Sequence, residues 1–335
     1  MRDTPRSRRQ LLAALGLAAT GSLAGCPSEK GATPTPTAEP TATPTPSPAE
    51  SLPPYADFVP ALDGEPVLFT AFDLAIEPGH RITTLPSTPS DPLRYNSLVG
   101  AYVEYLTSLL TLGLRYPFED ARLDTTDRER VLNVEGIGIQ QLPVDLSGAV
   151  ADAEDGDAEI QFEADDRAVI AGADGTTFGL TTGALVFPVV DDGTDGLVRD
   201  IVDARAGASD PRHAVDDDFD TLLRRGDTAG SLACGHAPDS DLATMLADRA
   251  ETFSVDLPTD GFDTATGALF HIDLDNGDPP QPASGTIRYP DDEAVDTGAL
   301  SSLGSAAENR ALTADGRTVQ FTGEYSWDAL RDFES

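Results

Sequence analysis

The sequence predicts an α+β domain over residues 53–335, built mainly of antiparallel sheet with packed helices and with room for two related subdomains. Three observations carry that reading. Short apolar runs between residues 158 and 190 are separated by Asp165-Asp166, Asp174-Gly175 and Thr182-Gly183, and Gly in such steps accepts the positive φ of tight hairpin turns. Helical periodicities are scattered among the strands without a β-α-β rhythm. The chain is 39% hydrophobic, enough to bury a core of domain size.

Taken in order, residues 66–76 form an apolar run closed by Pro78-Gly79 and read as a buried strand. Leu98, Tyr102, Leu106, Leu109 and Leu112 recur at helical spacing, with Glu104, Ser108 and Thr111 opposite, which predicts a core helix. Residues 131–140 return to strand character. Two helices follow the 158–190 strands: residues 195–206, with Leu197, Val198, Ile201 and Val202 inward, and residues 217–225, with Phe219, Leu222 and Leu223 inward. Thr194 and Asp216 suit their N-caps, Gly207 and Gly226 their ends.

Residues 231–234 read as a strand, and Asp239-Ser240 as the cap of a helix carrying Leu242, Met245 and Leu246. Strands are expected at 251–257, 267–274 and 286–289, a helix at 294–306, a hairpin turning at Asp315-Gly316 and a last helix from Ser326. A subdivision is expected near 235–250. Thr-Gly-Ala-Leu occurs at 182–185, 266–269 and 297–300, and either coincidence or an internal duplication accounts for it.

Ahead of the domain, Ser7-Arg8-Arg9-Gln10-Leu11-Leu12 reads as a twin-arginine export signal. Residues 11–24 are apolar but fall short of the ~20 residues that cross a bilayer. Leu23-Ala24-Gly25-Cys26 matches a lipobox, so residues 1–25 are expected to be a cleaved leader and Cys26 the site of lipid attachment. Residues 26–52 form a linker whose 31–50 stretch, GATPTPTAEPTATPTPSPAE, favours an extended polyproline II stalk. The expected location is the extracytoplasmic face of the cell membrane.

The formal net charge is −36, and the leader that processing removes holds Arg2, Arg6, Arg8 and Arg9 against Asp3 alone. Lys30 is the sole lysine. At ~1 M salt the Debye length is about 3 Å, so neighbouring carboxylates hardly repel. The acidic balance excludes nucleic acid as a partner, since no basic patch exists to displace counterions from phosphate. With Cys26 lipidated, Cys234 has no intrachain partner.

The lipobox, the Thr-Pro stalk and the lysine-poor acidic composition together resemble uncharacterised haloarchaeal lipoproteins exported by the twin-arginine route. Residues 183–235 resemble a strand–helix–helix–strand unit found in those proteins and in bacterial surface proteins of unknown function. The resemblance rests on residues 185–190, on the helix ending at Ala206-Gly207 and on Asp216-Asp217-Asp218-Phe219. It implies architecture, twin-arginine export and a two-chain lipid on Cys26, and it carries no chemistry with it.

Catalytic patterns are missing: there is no Gly-X-Ser-X-Gly elbow, phosphate-binding loop, dinucleotide fingerprint or His-Glu-X-X-His helix. Cys234-Gly235-His236 with Met245 spaces its groups poorly for copper. Residues 191–196 have Asp at positions 1 and 5 of a calcium loop but Val202 where a bidentate Glu is needed, and residues 273–278 break the pattern sooner. No cofactor and no catalytic residue is expected. The leading expectation is a non-enzymatic, membrane-anchored interaction or envelope domain with an envelope protein as partner; the alternative is a solute-binding lipoprotein of a transporter, with a small solute as ligand.

Overall fold

The structure is a computed structural model that describes residues 52–62, 64–74, 89–101, 104, 106–107, 129–189, 195–226, 230–239, 241–252, 254–274 and 280–331. The leader, Arg8, Arg9, Cys26, the stalk, Thr194 and most of both acidic loops lie outside the described residues.

One twelve-stranded antiparallel sheet organises the molecule, in the order β11-β12-β10-β9-β8-β1-β2-β3-β7-β6-β5-β4. The strands are β1 (Val67–Asp73), β2 (Arg130–Val134), β3 (Ile137–Gln141), β4 (Glu159–Ala164), β5 (Arg167–Ala171) and β6 (Thr177–Thr181). They continue as β7 (Ala184–Pro188), β8 (Ser231–His236), β9 (Gly267–Ile272), β10 (Gln281–Arg288), β11 (Glu308–Asp315) and β12 (Thr318–Tyr325). The class is therefore α+β with mainly antiparallel sheet, as the turn signals predict. All three steps between 158 and 190 sit in turns joining β4 to β7.

The α-helices are α1 (Pro92–Arg94), α2 (Leu146–Asp155), α3 (Asp195–Arg205), α4 (Arg212–Val215), α5 (Asp217–Leu223), α6 (Leu242–Thr252) and α7 (Trp327–Arg331). On the front of the sheet, α3 and α5 bury Val198, Ile201, Val202, Phe219, Leu222 and Leu223 against Phe69, Leu132, Ile139 and Val186. Gly179 on β6 lets α3 come this close, because a Cβ there would stand 2.4 Å from Val202 Cγ2. On the back, α1 and α6 cover the β8–β12 end, while α2 covers β5–β7. Each fully buried aliphatic or Phe side chain contributes about 1.5–3 kcal/mol, so these packed faces dominate stability.

Several expectations are corrected. Residues 131–140 are not one strand but the β2–β3 hairpin, turned by Glu135 (φ 50°) and Gly136 (φ 82°). The 251–257 strand does not form, because Glu251 and Thr252 complete α6. The 294–306 helix shrinks to a 3-10 turn at Ala299–Ser302. Asp241 rather than the preceding pair caps α6, its carboxylate accepting from Thr244 N at 3.2 Å. Leu98 belongs to a π-helix, Tyr95–Gly100, that continues α1, whereas Tyr102, Leu109 and Leu112 of the expected core helix lie outside the described residues. Thr-Gly-Ala-Leu falls in a hairpin turn into β7, at the start of β9 and in the 3-10 turn.

Candidate binding site

Among the described residues, the back of the sheet carries two apolar clusters, one under α1 and α6 and one under α2. Between them run the central strands β1, β2 and β3. Directly paired residues in neighbouring antiparallel strands project to the same face. Thr70, Asn133, Gly138 and Phe187 make one such row, and Phe72, Val131, Gln140 and Leu185 make the next. Thr70, Asn133 and Gln140 thus share the back face of the central strands, where Gly138 contributes no side chain.

Helices bring charge to one end of this face. Glu104 accepts from Thr70 Oγ1 and, at 3.1 Å, from Arg249 Nε at the end of α6. The sequence places Glu104 on the outer face of its helix, and the structure corrects this: it is turned inward as the partner of Arg249. Arg249 Nη1 and the Tyr95 hydroxyl are buried without a hydrogen-bond partner among the described residues. Burial pushes the Tyr95 hydroxyl up to about 12, so it stays protonated and able to donate.

Gln140 is the most exceptional group. It is 0% exposed, and among the described residues neither its carboxamide oxygen nor its nitrogen has a partner. Leaving such a group unsatisfied costs about 1–3 kcal/mol per lost interaction, and native proteins hold few of them. Val131 and Leu185, its direct cross-strand neighbours, offer it nothing polar. No motif marks this residue, because Gln140 lies within what reads as one apolar strand.

The sequence drew attention to Cys234-Gly235-His236, which lies on β8. Cys234 and His236 face the front of the sheet among apolar side chains, whereas Gly235 faces back toward Met245 Cε. The three do not converge. Burial raises the Cys234 thiol far above its ordinary range. His236 Nδ1 lies 3.1 Å from Arg212 Nη2, and since a guanidinium only donates, Nδ1 is the acceptor and the proton sits on Nε2. Burial holds this imidazole neutral, lowering its pKa to about 4 against an opposing pull from Asp216. Asp216 also caps α5 through Asp218 N and Phe219 N. This cluster positions α4 and α5 against β8. Among the described residues, no three His, Cys, Asp or Glu side chains are grouped to hold a metal ion.

No family model matches the chain, and no curated protein matches it. Two solved structures are similar: crystal form I of TP0453, at 7% identity over 85% of this chain and 97% of that one with a TM-score of 0.38, and crystal form IV, at 8% identity over 84% and 96% with a TM-score of 0.33. Likeness at that level carries no functional argument.

Proposed function

We propose that this chain is a membrane-anchored extracytoplasmic lipoprotein of a halophile whose folded domain works by binding rather than by catalysis. The single observation that supports the domain's part in this reading is the continuous antiparallel sheet. A transporter's solute-binding lipoprotein has two lobes on parallel sheets, and the sheet here departs from that plan. Cys26 supplies the anchor and the Thr-Pro stretch the spacing. The acidic composition keeps the domain soluble in molar salt, where carboxylate repulsion is screened.

The test of the anchor is Cys26→Ser in the native host, followed by membrane fractionation. The wild-type chain is expected in the membrane fraction and the variant in the soluble one. Unchanged retention of the variant would contradict the anchoring. Co-purification of the lipidated wild-type chain from its own membranes then separates a solitary envelope domain from a transporter component.

A further inference from the structure

We propose that His236 is the pivot of an acid-operated switch that releases Pro60, Ala61 and Glu65, on the stalk side of β1, from residues 210–212 at the start of α4. The imidazole is 0% exposed, and its Nδ1 stands between two groups of opposite hydrogen-bonding capacity. Arg212 Nη2, at 3.1 Å, can only donate; Asp216 Oδ2, at 3.5 Å, accepts. The neutral ring accepts from Arg212. A proton on Nδ1 turns the same atom into a donor, which repels the guanidinium and pairs with Asp216 instead.

Arg212 fastens the chain ahead of β1. Its Nη1 donates to Glu65 O at 2.7 Å and its backbone N–H to Val59 O at 2.8 Å. Beside it, Ala61 N donates to Asp210 O at 3.3 Å, and Pro60 and Pro211 form an isolated antiparallel bridge. Moving the Arg212 side chain away from His236 therefore pulls directly on the Glu65 carbonyl and on the short pairing next to it.

The charged groups on the surrounding elements set the direction. Asp216 Oδ1 is taken by the cap of α5, and Oδ2, 3.8 Å from Arg212 Nε, is the oxygen left for a protonated ring. Asp218 on α5 is held by Arg288 of β10 at 3.1 Å and by Arg317 at 2.6 Å. Glu135 in the β2–β3 turn attracts Arg212. Burial opposes a charged His236 more strongly than Asp216 favours it, so the neutral, Arg212-bound form is the resting one. His213, next to Arg212, lies 3.1 Å from Asp57, which Arg205 of α3 meets at 3.4 Å. Protonation of His213 strengthens that contact, so Asp57 stays docked and the release is confined to the residues that follow it.

The experiment is amide hydrogen exchange of the full chain in molar salt at pH 7 and pH 4, corrected for the intrinsic pH dependence of exchange. Peptides containing Ala61 and Arg212 are expected to lose protection at pH 4 by about ten- to hundredfold, the range set by an imidazole whose pKa moves from 6.5 to about 4 on folding, while peptides from β5–β7 keep theirs. Unchanged protection at Ala61 and Arg212, or an equal loss in β5–β7, overturns the proposal without recourse to any variant. In His236→Asn the side-chain carbonyl replaces Nδ1 as an acceptor that does not titrate, and the selective loss is expected to vanish. Its persistence in the folded variant overturns the proposal as well. The switch does not depend on the lipid at Cys26, so each of these failures leaves the anchor standing.

Discussion

Asp91 and Gln140 are both 0% exposed, yet they occupy opposite chemical situations. The Asp91 carboxylate accepts from Leu93 N at 3.1 Å, Arg94 N at 3.4 Å, Gly304 N at 2.9 Å, Ala306 N at 3.2 Å and the Tyr325 hydroxyl at 2.7 Å. It caps α1 and ties that helix to the turn before β11 and to the end of β12. The Gln140 carboxamide, in the middle of the sheet, has no hydrogen-bond partner among the described residues. A buried polar group with every lone pair used is holding the fold together. One with none used lowers the stability of the fold, and that difference separates the two buried groups.

The sharpest way to break the comparison is at Asp91. Asp91→Ala leaves five donors without their acceptor, and the expected loss is about 3–5 kcal/mol in equilibrium unfolding. A loss below 1 kcal/mol would remove Asp91 from its structural role. His236 gives the next largest effect, read as pH dependence. Its folded pKa lies near 4, below the ordinary value of 6.5, so the unfolded chain binds the extra proton first. Stability is then complete above pH 6.5 and declines as pH falls toward 4, by about 3 kcal/mol in all. Unfolding curves of wild type and His236→Gln between pH 7 and 4 check this, the variant being expected to lose that part of the slope.

Much of the fold was legible because it is written in local chemistry. Asp174-Gly175 and Asp315-Gly316 turn hairpins where they stand, with Gly175 at φ 84° and Gly316 at φ 53°. Asp216 caps α5, and Ser326 Oγ accepts from Ala329 N at 3.1 Å to open α7. The features that were missed depend on partners distant in sequence or on weaker local signals. Glu135-Gly136 lacks the Asn or Asp that usually marks such a turn, so β2 and β3 merged into one strand. Helix α2 has its signal in Asp145 and in Leu146, Ala149, Val150 and Ala153, whose small side chains make a faint apolar stripe. The 294–306 stretch has helical composition, but Gly298 and Gly304 bracket only a single 3-10 turn, and Gly304 adopts φ 64°.

The candidate site was the least legible part. Glu104 pairs with Arg249 across 145 positions, and only the pairing of three strands brings Thr70, Asn133 and Gln140 onto one face. Conversely, Cys234-Gly235-His236 is conspicuous in the sequence but divides between the two faces of β8, as alternation in a strand requires.

The smallest expected effect has the opposite sign to the Asp91 substitution and tests the central claim most directly. Gln140→Met keeps the length of the side chain and removes the unpaired carboxamide, and its equilibrium unfolding is to be compared with wild type in the same molar salt. The account predicts that the variant is more stable by about 1–2 kcal/mol. A variant less stable than wild type would show the Gln140 amide to be satisfied in the folded protein, and would contradict its assignment as an unpaired buried group.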